Sequence, residues 1–264
     1  MRVITFTTDF GLRSGFAGVM QGVVYNLAPQ VKIVDISHFV SPQDIQEGAY
    51  TLARAAPFFP AGTIHVYVVD PGVGTARRPL AAQLGDYFYV GPDNGLLTPL
   101  IEDAEQNGRQ IEFVHLNQAQ FWRSKISRTF HGRDIFSPVA AHLANGVSFT
   151  ELGTPITDPV RLNLMRPHMT ASGWTAHIIS IDTFGNLATN LTISEIPDPT
   201  AVQFRVRGAK VDGVTGSYGE KQPGELVAVV DSENFIEIAV VNGNAARELN
   251  ASVGDLVELI FSVK

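Results

Sequence analysis

The rhythm of apolar and polar positions changes once along the chain. Over the first 165 residues, short β-branched apolar runs alternate with segments whose apolar positions recur at helical spacing. Val3–Thr7, Val31–Ile36, Thr63–Val69 and Tyr87–Val90 read as strands. The segment from Gly15 to Leu27, Asp44–Ala56 and Pro138–Asn145 read as helices, the last closed by Gly146. Gly15, Gly18 and Gly22 recur along the first helix, a spacing that predicts close helix packing. Strands alternating with helices predict an α/β domain over residues 1–165, with a mostly parallel central sheet covered on both faces.

Beyond about residue 170 the helical rhythm stops. Ala176–Ile181, Val202–Val206, Leu226–Val230, Ile236–Val240 and Leu256–Val263 are short β runs separated by Gly, Asp, Asn and Pro. Only a turn near Ala245–Leu249 interrupts them. They predict a smaller all-β domain over residues 170–264, a barrel or sandwich, with the seam near Met165–His168.

Composition narrows the possible classes. The 264 residues contain no cysteine, which removes disulfide frameworks and thiolate metal sites. A formal charge of −7 argues against a protein that coats nucleic acid or an anionic membrane. The apolar start Met1–Phe6 is too short for an export signal, and no run of ~18 apolar residues suits a membrane span. The expectation is a cytoplasmic protein with a core of ordinary size.

Three segments could carry chemistry. In Val68-Val69-Asp70-Pro71-Gly72-Val73-Gly74, an apolar strand delivers an acid to its carboxyl end, where open α/β sheets place ligands. The turn exposes backbone N–H groups, and Arg77 and Arg78 follow within reach. The same residues would also make a plain tight loop with solvated arginines. Thr129–Phe136 sets His131 beside Gly132 between aromatics, with Arg133 and Asp134 next; it reads as a polar site or as a helix start. Asp9, again at a strand end, could accept both hydroxyls of a ribose or cap the glycine-rich helix. The glycines match neither a dinucleotide fingerprint nor a Walker loop. Asp182–Asn186 and Asp231–Asn234 read as hairpin turns. With no His-x-x-x-His pairing, no metal site is expected.

Taken together, Asp70-Pro-Gly-Val-Gly-Thr-Ala-Arg77, Thr129-Phe-His131-Gly-Arg-Asp-Ile-Phe136, Thr8-Asp9-Phe-Gly11 and Phe184-Gly-Asn186 span most of the chain. They resemble the S-adenosylmethionine hydrolases, or hydroxide adenosyltransferases, relatives of fluorinating and chlorinating enzymes that use the same substrate. The resemblance implies an N-terminal α/β domain, a barrel-like C-terminal domain and a homotrimer with sites between subunits. It also implies attack of water on the ribose C5′ with release of adenosine and methionine, and no cofactor beyond the substrate. Asp70, Arg77 and His131 would form the catalytic triad, Asp70 also lying near the sulfonium. Asp9 would hold the ribose, Asp182 the methionine ammonium and Asn186 the adenine edge. Ser232 and the Glu233 backbone would meet the methionine carboxylate or amine, and backbone near Val240 the adenine. The halogenases carry tyrosine where this chain has Asp70, and the fluorinating enzyme carries serine in place of Gly132; both differences point toward water.

Unperturbed pKa values, ~6.5 for His and ~3.9 for Asp, favour His131 as the base, with Asp70 orienting it or the water. Alternatively, Arg77 and His131 together favour hydroxide at the site. A halogenase of the same fold and an adenosine-binding module with little turnover are the competing readings.

Overall fold

A computed structural model describes residues 2–261 of the chain. The chain divides into two compact units between Asn163 and Leu164. In the first, β1 (Val3–Thr8), α1 (Phe16–Leu27), β2 (Lys32–Ser37), α2 (Ile45–Ala55) and β3 (Ile64–Val68) alternate as the apolar rhythm predicts. Then follow β4 (Pro79–Leu84), β5 (Tyr87–Pro92), α3 (Thr98–Gln106), β6 (Ile111–His115), α4 (Ser137–Ala144) and β7 (Thr154–Ile156). The sheet order is β2-β1-β3-β5-β4-β6-β7. Its first four strands run parallel, and β4, β6 and β7 extend them antiparallel.

Both faces of the parallel block are covered, which is why every residue of β3 is buried, His65 included. Phe6, Val66 and Val68 pack with Met20 and Val24 of α1 and Val139 of α4. On the other face Tyr67 and Val69 pack with Leu52 of α2 and Ile101 of α3. Asp44 caps α2, its carboxylate accepting the Glu47 N–H at 2.9 Å.

The glycine spacing of α1 has a different meaning from the one its sequence suggests. A Cβ built on Gly15, Gly18 or Gly22 meets nothing within 4 Å beyond its chain neighbours and the backbone of its own helix. The buried face of α1 is instead Ala17, Met20 and Val24. Three- and four-residue spacing is shared by both faces of a helix, so the pattern alone cannot say which face packs.

The second unit contains β8 (His168–Thr170), β9 (Gly173–Ile181), β10 (Leu187–Thr192), β11 (Val202–Val206), β12 (Ala209–Asp212), β13 (Leu226–Val230), β14 (Phe235–Val240) and β15 (Leu256–Phe261). The expected last strand is thus found to Phe261, and Val263 lies outside the described residues. The antiparallel order is β12-β11-β15-β9-β10-β14-β13, with β8 on β9. Its two ends nearly meet, because Thr215, just past β12, bridges Val229 of β13. The result is a nearly closed barrel with Ile178, Leu187, Phe204, Ile238 and Leu259 in its core. The turn near residue 245 is α5 (Ala245–Glu248), capped by Asn244, which accepts from the Arg247 N–H at 2.8 Å. Among the described residues, no helix is long and apolar enough to cross a membrane.

Candidate active site

The site begins where β3 ends. Val69 is buried on the far face of the sheet, and Asp70 emerges at the carboxyl edge. A tight turn then doubles the chain back: the Val73 N–H donates to the Asp70 carbonyl at 3.2 Å and the Thr75 N–H to the Gly72 carbonyl at 3.2 Å. Gly74 sits at φ +75°, and any side chain there would collide with the Arg128 carbonyl. This close approach is why the turn needs glycine at that point.

The turn separates the two arginines. Arg77 swings back to Asp70: Nε donates to Oδ1 at 3.1 Å, and Nη2 bonds Oδ2. Arg78 points elsewhere, donating through Nε to Asp93 at 2.9 Å and through Nη1 to Asp158 at 2.9 Å. Arg78 is therefore structural. Arg77 and Asp70 are almost fully enclosed, their side chains 8% and 4% exposed, and the guanidinium lies 5.5 Å from the centre of the Phe136 ring. Arg77 Nη1 is buried with no protein partner.

His131 comes from the segment that leads into α4. A π-helical turn, Gly132–Phe136, precedes that helix. Buried Asp134 pins the loop before it, accepting from the Ser127 N–H at 2.8 Å, Arg133 Nε at 2.7 Å and Arg123 Nη1 at 3.3 Å. Burial pushes the Asp134 carboxyl upward, but these donors prevail and hold it below the usual carboxylate value. The Arg133–Asp134 pair is thus scaffolding for His131. Gly132 faces α1, and a Cβ there would stand 2.8 Å from Met20 Sδ.

Arg77 Nη2 also lies 3.1 Å from His131 Nδ1. A guanidinium only donates, so Nδ1 accepts and the neutral ring carries its proton on Nε2. Burial, reinforced by the Arg77 charge, lowers the His131 pKa against the opposing pull of Asp70, Asp134 and a backbone bond to Ser127. Asp70 moves the other way: burial raises its pKa, with Arg77, His131 and a Gly72 backbone bond opposing.

Asp70 and His131 line a cleft of about 410 Å³ that Asp9 also lines. Asp9 accepts the Gln43 N–H at 2.8 Å, and Gln43 stands at φ +67°. Phe10, Phe16 and Phe130 form an edge-to-face cluster along the cleft, with centroids 5.1 to 5.8 Å apart. The sequence motifs contain Phe10 and Phe130 only as flanks, and nothing in the sequence marks Phe16 or Gln43.

The remaining candidate residues lie in the second unit. Asp182 accepts the Phe184 and Asn186 N–H groups at 2.9 and 2.8 Å and Asn186 Nδ2 at 3.1 Å, so its carboxylate builds the β9–β10 turn. The β13–β14 turn is built by Asp231, whose Oδ1 accepts the Glu233 N–H at 2.8 Å and the Phe235 N–H at 2.9 Å. Ser232 lies in the same turn. Val240 ends β14, its carbonyl accepting the Gly243 N–H at 3.0 Å. Leu187 pairs with Ile238 and Thr192 with Phe235. Asn186 and Val240 therefore share one end of β14, while Ser232 and Glu233 occupy the other. The structure thus gathers Asp9, Asp70 and His131 along one cleft of the first unit, with Arg77 bonded to Asp70 and His131, and spreads the other five along β14. Among the described residues, no cluster of His, Asp and Glu could hold a metal ion.

Two family models match the chain: the SAM hydroxide adenosyltransferase N-terminal domain over residues 4–153 and the C-terminal domain over residues 176–258. The chain is similar to the (R)-S-adenosyl-L-methionine hydrolase of Salinispora tropica, 42% identical over 257 residues, which cover 96% of this chain and 95% of that one. A fluorinase from an Actinoplanes species is more distant, 30% identical over 72% of this chain and 71% of its own. A crystal structure of an uncharacterized conserved protein from Thermotoga maritima matches with a TM-score of 0.90 at 32% identity. It covers 98% of this chain and 100% of that one.

Proposed function

The chain belongs to the SAM hydroxide adenosyltransferase family, and we propose that it hydrolyses S-adenosyl-L-methionine to adenosine and L-methionine. The name of the Salinispora relative specifies the (R) sulfonium, and the same epimer is the proposed substrate here. The observation that carries the reading is one guanidinium, Arg77, joining Asp70 to His131 beside a cleft that Asp9 also lines.

Water attacks the ribose C5′, the C5′–S electron pair leaves with sulfur, and the attacking water gives up a proton. Sulfur departs as a neutral thioether, so the reaction needs neither a general acid nor a resident cofactor. Catalysis rests on placing the water and the charges. Free-solution pKa values favour His131 as the base. In the folded chain its Nδ1 lone pair is turned to Arg77 and its pKa falls, while burial raises that of Asp70. We therefore assign proton acceptance to Asp70, whose charge also faces the sulfonium. Arg77 holds the carboxylate through Nε and Nη2. His131 fixes Arg77.

Asp9 receives the ribose hydroxyls. Asp182, Asn186, Ser232, Glu233 and Val240 are proposed to meet the methionine and adenine ends; an extended ligand laid along β14 would span them. The homotrimer implied by the family resemblance would bring this surface of one subunit to the cleft of the next.

Purified protein incubated with S-adenosyl-L-methionine should release adenosine and methionine in equal amounts. Tight adenosine binding without turnover would mark a nucleoside-binding module instead. A rate that depends on chloride or fluoride would mark a halogenase.

A further inference from the structure

Asp9 stands at the end of β1 in a loop that a second, unassigned set of side chains holds. Thr8 and His38 are both buried, at 0% and 3% exposure, and Thr8 Oγ1 lies 2.8 Å from His38 Nδ1. His38 Nε2 is 3.1 Å from Asp35 Oδ1, in ionic range but without hydrogen-bond alignment. A proton on Nε2 beside that carboxylate leaves Nδ1 to accept the Thr8 hydroxyl. Gln21 of α1 steadies Asp35, donating to both of its oxygens at 2.9 Å.

The chain continues toward the cleft. Thr8 Oγ1 accepts the Phe10 N–H at 3.3 Å, its carbonyl accepts the Val40 N–H at 3.3 Å, and the His38 carbonyl accepts the Gly11 N–H at 2.6 Å. Asp9 closes the circuit by accepting from Gln43, on the same loop as His38. Asp9 is thus flanked on both sides by residues tied to Thr8 or His38. None of these groups is needed for the fold of β1 itself, whose pairing with β2 and β3 is made by backbone.

We propose that Thr8 and His38 are positioning residues that aim the Asp9 carboxylate at the ribose diol of the substrate. The inference rests on the ribose role given to Asp9 in the proposed function. Loss of the Thr8–His38 bond leaves the carboxylate in place chemically but frees its loop. The effect falls on recognition of the ribose hydroxyls and spares the rest of the nucleoside. A bond to a charged acceptor tightens binding by about tenfold or more, and loosening it forfeits part of that.

The test is calorimetric binding of adenosine and of 2′,3′-dideoxyadenosine to the wild type, Thr8→Val and Thr8→Ser. Val keeps the shape of Thr and removes the hydroxyl; Ser restores it. The wild type should bind adenosine at least about tenfold more tightly than the dideoxy compound. Thr8→Val should lose most of that preference with its dideoxyadenosine affinity unchanged, and Thr8→Ser should recover it. His38→Asn, whose amide oxygen can replace Nδ1 as acceptor, should keep more of the preference than His38→Ala. Preference retained in Thr8→Val, or equal loss of both ligands, overturns the positioning role while leaving the proposed function intact. A wild type that binds adenosine without any preference removes the ribose role of Asp9, and the inference falls with it.

Discussion

Arg77 Nη2 stands 3.1 Å from His131 Nδ1 while the same guanidinium grips Asp70. Since Arg has no lone pair to offer, His131 can meet it only as a neutral ring. The Asp70–Arg77–His131 group therefore has a direction: histidine holds arginine, and arginine holds the carboxylate.

That direction separates two variants at one position. His131→Ala removes the acceptor, and kcat/KM for S-adenosyl-L-methionine should fall about 10- to 100-fold. His131→Asn returns an amide oxygen near the place of Nδ1 and should recover a clear part of the loss. Equal losses in both variants would show that His131 works as a base. Steady-state kinetics of the two proteins decides between these outcomes.

Asp70 should govern the acid side of the pH profile. Burial raises its pKa above the ordinary 3.8, so activity should fall as pH drops through a value higher than that of a free carboxylate. Asp70→Asn keeps the shape and abolishes the charge. Its kcat should drop at least ~10²-fold, with the acid limb gone. A limb that persists unchanged in Asp70→Asn belongs to another group.

Gly74→Ala should destabilise the first unit. The residue sits at φ +75° against the Arg128 carbonyl, so strain and collision add. A loss of about 2 kcal/mol or more is expected from urea unfolding. A neutral result would mean that the turn relaxes without cost.

His65 sets an acid limit on stability. It is buried in β3, bonded through Nδ1 to Thr5 Oγ1 at 2.8 Å and stacked on Tyr89. Burial pushes its pKa from 6.5 down to about 3. Between those values the unfolded chain binds the proton and the folded chain does not. Stability is therefore intact above pH 6.5 and is lost as pH falls toward 3, by up to about 1.4 kcal/mol per pH unit. His65→Gln should flatten the pH dependence of the urea midpoint in that window by about one proton. An unchanged slope would assign the acid sensitivity elsewhere.

Much of the fold is written in short-range pattern. The apolar run ending in Val69-Asp70 announces a covered strand with an acid at its carboxyl edge, and the alternation around it announces parallel β/α order. β4 escapes that reading because Pro79–Leu84 starts at proline and is rich in alanine; its pairing with β5 and β6 makes it a strand. Around the cleft, the motifs mark Asp70, Arg77, His131 and Asp9. What no motif could say is that Arg77 turns inward and Arg78 outward, since one tight turn decides both. The glycines of α1 and the Gln43–Asp9 contact are tertiary facts too: one depends on which helix face packs, the other on a loop 34 residues away.

Hydrolysis as proposed requires water to attack the ribose C5′ beside Asp70, Arg77 and His131. Turnover in water labelled with heavy oxygen, with mass analysis of both products, tests it most directly. Label should enter the 5′-hydroxyl of adenosine and not methionine, and Asp70→Asn should give labelled adenosine only at its reduced rate. Unlabelled adenosine, or label carried by methionine, would contradict it.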